Sequence, residues 1–259
     1  MTQLPGESKA VRLPRSVVVV NDATYQAMKR DPKSVDLLSD PDSLVLPYSA
    51  NNDSAAAAKV REILEEADHL DVGTLLVRNP YEPDSYTLAD EAVEVFTGTK
   101  YQVLAKVAGL LGATSVKFVE AKVDVDRSSM SGTAKGAVKG VKADASVERD
   151  WEHRITSDIT AEYNFDGGDP DLMAARAYLS EKRLRTDHDL SSLIELRDGL
   201  NPLRKRRVIL NATRESEKSL KAALKLANSG PIQLANIGTG FRRSVESLRK
   251  VELVTEIIF

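Results

Sequence analysis

The feature that most constrains this chain is a two-residue rhythm running from Val141 to Phe165, VKADASVERDWEHRITSDITAEYNF. Its even-numbered positions are all polar, and ten of its thirteen odd-numbered positions are apolar. An extended strand sorts such a pattern onto two faces, whereas a helix would spread it around its circumference. The reading is therefore β structure. Twenty-five residues at about 3.3 Å each would span roughly 80 Å, too long for one strand. A hairpin with a three-residue turn at Glu148-Arg149-Asp150 shortens it and keeps the parity, with Val147 facing Trp151. A bulged, bent strand is the competing solution.

Upstream, SVKFVEAKVDVD alternates as well, with Val119, Ala121, Val123 and Val125 on one side and Lys122, Asp124 and Asp126 on the other. Together the two stretches make a meander with one apolar face. SVVVV (Ser16 to Val20), VGTLLVRNP, RKRRVILNATRE and VELVTEIIF read as further strands. NDATYQAMKR opens a short helix, and NDSAAAAKVREILEEADHL reads as a helix capped by Asp53 or Ser54, with Val60, Ile63, Leu64 and Ala67 on its apolar face. YEPDSYTL reads as a turn-rich loop. Ala89 to Ala113 reads as one interrupted helix or two, with a stripe of Val103, Leu104, Val107, Leu110 and Leu111. Lys100 and Lys106 flank that stripe, which suits either the core or a membrane surface. DPDLMAARAYLSEKRL, with Pro170 in its first turn, and DHDLSSLIELRDGL are helices. The segment from Ser216 to Lys250 reads as helical at both ends, broken by Gly230, Pro231, Gly238 and Gly240.

Strands and helices alternate without a βαβ cadence. The expected class is α+β: a central antiparallel sheet with a long meander or hairpin and helices packed on it. The 259 residues are expected to form a single domain. Its sub-regions are helix-rich (1–114), strand meander (115–165) and basic helix and strand (166–259). Cysteine is absent, which removes disulfides, thiolate metal sites and cysteine nucleophiles and fits a reducing cytoplasm. No run of about 18 apolar residues exists to span a membrane as a helix.

The net charge of −3 conceals an asymmetry: residues 201–259 carry a balance of +7 and the first 200 residues one of −10. The two regions suit each other, and the basic one also suits an acidic partner. The densest run, Arg204, Lys205, Arg206 and Arg207, joins Arg242 and Arg243 as a candidate anionic-surface contact; gatekeeping at a sheet edge is the plainer role for the run. Aromatic residues that would stack bases are missing nearby, which argues against nucleic acid.

Motifs for chemistry are sparse. His69, His153 and His188 lie at no metal-ligand spacing from one another. Asp166, Asp169 and Asp171 in FDGGDPD carry carboxylates that a hard cation would accept, in a segment that also reads as a turn and helix cap. IGTGFRR lacks the full phosphate-loop and dinucleotide patterns. No cofactor and no catalytic set is expected. The leading expectation is a non-enzymatic cytoplasmic protein that assembles or binds surfaces, with itself, another protein or anionic lipid as partner. Its apolar row would be Val141, Ala143, Ala145, Val147, Trp151, Ile155 and Ile159, and in the sharpest form that hairpin enters a membrane after activation, as pore-forming proteins do. The alternatives are a soluble interaction scaffold, and a metal-dependent enzyme working on a phosphate substrate through the acidic cluster.

Overall fold

The computed structural model describes residues 11–49, 54–125, 152–157, 159, 162–199, 203–211, 216–228 and 248–259. It is an α+β fold built on two four-stranded sheets, one mixed and one antiparallel. The sequence reading of one central sheet thus divides into two.

The first sheet has the order β2-β1-β3-β4, from β1 (Ser16–Val20), β2 (Ser43–Pro47), β3 (Leu75–Arg78) and β4 (Tyr86–Leu88). β1 pairs parallel with β2 and antiparallel with β3. All five residues of β1 are buried, because the sheet is covered on both sides and a strand between two layers needs apolar side chains at every position. On one face Val17, Val19, Leu46 and Leu76 meet Ala57, Val60 and Leu64 of α3 (Ala55–Glu66), whose first turn is capped by Ser54 accepting from the Ala57 amide. β4 falls where the sequence reads as loop; Tyr86 is set there by its pairing with Arg78 and by its hydroxyl, which donates to the Pro14 carbonyl at 2.8 Å.

The other face of this sheet, with Val18, Val20, Leu75 and Val77, looks into the main core. That core is threaded by α4 (Ala92–Leu110), one unbroken helix rather than the interrupted one read from the sequence. Its interior glycine Gly98 costs little when Ala92, Phe96, Leu104, Val107 and Ala108 are all buried around it. The Val103–Leu111 stripe is core. α4 stops at Gly112, whose φ of +82° is a left-handed cap, and a Cβ there would stand 2.1 Å from the Gly168 carbonyl oxygen.

The second sheet has the order β6-β5-β8-β7, from β5 (Ser115–Val125), β6 (Glu162–Asn164), β7 (Lys205–Asn211) and β8 (Leu248–Ile258). β8 begins at Leu248, so the residues Leu248 to Lys250, read as helix end, are strand. Phe118 pairs with Thr255 and Glu120 with Val254, which leaves Val119 as the extra residue of a bulge. The bulge reverses parity. Val116 and Phe118 face the core on even numbers, Ala121 and Val123 on odd ones, and Val119 is 47% exposed.

The meander from Val141 to Phe165 is corrected where it is described. Residues 152–157 form a helix, α5, and only Glu162–Asn164 is strand. The odd positions explain this. Arg149, His153 and Ser157 are polar while Trp151, Ile155 and Ile159 are apolar, so the local apolar period is four, which a helix satisfies. Ile155 and Ile159 are buried in the main core, and the Ile159 amide donates to the Ile155 carbonyl, one helical turn back. The turn at Glu148-Arg149-Asp150 lies outside the described residues.

The remaining helices are α1 (Asp22–Arg30), α2 (Val35–Leu38), α6 (Leu172–Glu181), α7 (His188–Arg197) and α8 (Glu217–Ala227). Asp171 caps α6 by accepting from the Ala174 amide, so Pro170, read into the first turn, stands just before the helix. Arg197, 8% exposed, ties α7 to the end of α4 by donating from Nε to the Leu111 carbonyl, while its guanidinium stacks 4.3 Å from the Phe259 ring. No helix among the described residues is long and apolar enough to cross a membrane.

Candidate functional site

Of the expected apolar row, Val141, Ala143, Ala145, Val147 and Trp151 lie outside the described residues, as do Arg242 and Arg243. Ile155 and Ile159 are core residues and present no surface. The basic run opens the edge strand β7, and two of its four charges are answered by described residues. Lys205 reaches Glu256 at 3.0 Å and Arg207 reaches Glu120 at 3.3 Å on the outer face of the sheet. Arg206 shares the inward row with Val208 and Leu210 and is half-buried, with no hydrogen-bond partner for its Nη1. Arg204 is exposed, and its carbonyl accepts from the Phe259 amide. With Lys117, Lys122, Glu162, Glu252 and Lys250 also paired, this outer face is an ion-pair lattice of little net charge.

The acidic cluster separates too. Asp171 is committed to its cap, and Asp166 and Asp169 are exposed. Among the described residues no group of three or more His, Asp or Glu side chains is placed to hold a metal ion.

Two charge clusters that sequence spacing does not reveal are assembled by the fold. The first is buried. The Lys100 side chain on α4 is 0% exposed, with Nζ 3.0 Å from Asp187 Oδ2, 3.2 Å from Asp189 Oδ2 and 2.7 Å from the Asn211 carbonyl oxygen. Asp187 Oδ2 lies off the donor direction, so that contact is electrostatic, while Asp187 Oδ1 accepts the Asp189 and Leu190 amides as the cap of α7. The helix N-terminus helps to balance the two carboxylates. The Tyr81 ring lies 5.6 Å from Nζ. This cluster pins α4, α7 and the end of β7 together.

The second cluster is open to solvent, at the end of the first sheet where β1 begins and β3 ends. The Arg78 amide donates to the Arg15 carbonyl, and Arg78 Nη1 donates to the Leu13 carbonyl at 2.7 Å. Arg12 Nη2 and Arg15 Nε both donate to Asp42 Oδ1, at 2.8 and 3.2 Å. Arg183, just past the end of α6, is near enough for its charge to act on Arg78; Lys182 beside it stands 4.0 Å from Glu82 in the loop after β3. Burial first, and then the neighbouring charges of Arg15, Arg183 and Arg12, push the Arg78 guanidinium below its ordinary pKa, against the opposing effect of Tyr86. It stays charged all the same. Arg183 has a φ of +59°, a left-handed conformation that a glycine adopts without cost and an arginine does not. Its side chain makes no bond to any described residue.

Asp42 is the one described carboxylate bonded to these guanidiniums, and it pairs with two of the four. Each bonded arginine uses one of its five donors on a described residue. No family model, curated protein or solved structure matches this chain.

Sequence reasoning ranked charges by how densely they run along the chain, which selects Arg204–Arg207 and misses an arginine set drawn from residues 12, 15, 78 and 183. The one sequence signal was an arginine where a helix-ending glycine would be expected.

Proposed function

We propose that this chain works without catalysis, as a surface-binding protein whose anionic partner meets the arginine end of the first sheet. The observation that supports this is the pairing of Arg12 and Arg15 on the Asp42 carboxylate, with the charges of Arg78 and Arg183 beside them and Arg183 held in a strained backbone conformation. Of the partners expected from the sequence, anionic lipid suits a solvent-open cation cluster of this kind. Each basic residue near an acidic bilayer contributes about 1 kcal/mol, so removing one of these arginines weakens binding to an anionic membrane roughly fivefold.

Co-sedimentation of the full chain with vesicles tests this. Binding to phosphatidylserine-containing vesicles, weak binding to phosphatidylcholine alone, and loss at high salt are expected. Equal binding to both, or none to either, refutes it. Binding that survives Arg183→Gly together with Arg12→Gln refutes the assignment to this cluster.

The membrane-inserting hairpin is a stronger form of the same proposal, and α5 raises its cost. Ile155 and Ile159 would have to leave the core, at about 1.5–3 kcal/mol each, before that segment could extend. An activating event is therefore part of that form. Vesicle leakage appearing only after limited proteolysis or acidification would support it.

A further inference from the structure

A groove of about 350 Å³ runs between α6 and α7, within the range that small-molecule sites occupy. Leu179 and Ile194, 2% and 3% exposed, form its floor. Arg185 and Glu195 both line it, and neither is bonded to any described residue. The other cation of the groove, Arg176, is held by Asp198 at 2.7 Å. The Ser191 hydroxyl donates to the Asp187 carbonyl, which leaves its oxygen able to accept a further hydrogen bond.

Among the described residues this cation and this anion have no partner, and both stand over one apolar floor. A plain carboxylate would satisfy Arg185 and leave Glu195 facing a like charge; a plain amine would do the reverse. A molecule with both charges and an apolar body answers all three features. We propose that this groove binds a small amphipathic zwitterion, of the class of apolar α-amino acids. Arg185 takes the carboxylate, Glu195 the ammonium, and the side chain lies on Leu179 and Ile194. The groove proposal uses none of Arg12, Arg15, Arg78 or Arg183, so it is tested independently of the vesicle experiment.

Calorimetric titration of the full chain with leucine, methionine and phenylalanine tests the assignment, with three controls. Glycine lacks the apolar body, 4-methylpentanoate the ammonium and isoamylamine the carboxylate. Arg185 and Glu195 are exposed, so Arg185→Gln and Glu195→Gln leave the fold intact, which an unchanged melting temperature without ligand verifies. The expected result is saturable binding of at least one apolar amino acid, weakened roughly tenfold or more in each control and each variant. No heat with any of the three amino acids up to their solubility, controls that bind as well, or affinity unchanged in both variants overturns it.

Discussion

Replacing Lys100 by methionine is the sharpest test of how this core is held. Methionine keeps most of the aliphatic volume and removes the ammonium, so cavity formation contributes little and charge dominates. The side chain of Lys100 is 0% exposed, that of Asp187 1% and that of Asp189 25%. The substitution therefore strands one fully buried carboxylate and one partly buried one, together with the Asn211 carbonyl that Lys100 satisfies. Breaking a buried pair from one side costs about 3–5 kcal/mol. For a chain of this size that lowers the melting temperature by roughly 6–20 °C. Urea denaturation measures the loss directly, as a shift of midpoint with the slope unchanged. Asp187→Asn, which keeps a capping oxygen but no charge, closes a double-mutant cycle, and a coupling of about 1–3 kcal/mol with Lys100→Met is expected. A loss under about 1 kcal/mol for Lys100→Met, or additive single losses, would show that the contacts of Lys100 do not support the fold.

Three further outcomes follow from particular residues. Gly112→Ala forces a left-handed φ on alanine, about 1–2 kcal/mol, and drives its Cβ onto the Gly168 carbonyl, so soluble yield and melting temperature both fall; an unchanged melting temperature refutes the cap assignment. Arg183→Gly relieves the same conformation in the opposite sense, raising stability by about 1 kcal/mol while weakening binding to anionic vesicles. A variant that is neither more stable nor weaker in binding would contradict the functional reading of that strain. Lys225 donates to Asp40 at 2.6 Å, and this hydrogen bond comes first among the causes that hold the Asp40 carboxyl below its ordinary 3.8. A carboxyl depressed in the folded state stabilises above its unfolded pKa, and that contribution fades as pH falls through the lower folded value. The urea midpoint of the native chain should therefore drop more between pH 5 and pH 2 than that of Asp40→Asn, and parallel profiles would refute the linkage.

Much of the secondary structure was legible because it rests on local chemistry. SVVVV could only be a strand buried on both faces. Ser54 and Asp171 stand where a capping oxygen was read, and the Val103–Leu111 stripe could be read as a buried face. Where reading failed, two periods coincided or a partner intervened. Trp151, Ile155 and Ile159 fit a rhythm of two and a rhythm of four, and the core cavity that accepts Ile155 and Ile159 selects the helix. Val119 looked inward by parity until the bulge opposite Val254 and Thr255 turned it out.

The sequence alone determined the α+β class and most of the helices and strands, while the core decided the helix at residues 152–157. Charge, by contrast, acquires its meaning only in three dimensions. Lys205 and Arg207 are answered by Glu256 and Glu120 across the sheet, Lys100 is buried against two aspartates nearly ninety residues away, and Arg12 and Arg15 share the carboxylate of Asp42. The physical reason is range. Helix and strand preferences are decided over a few neighbouring residues, whereas an electrostatic site depends on distances through space, and those exist only once the two sheets have closed on α4.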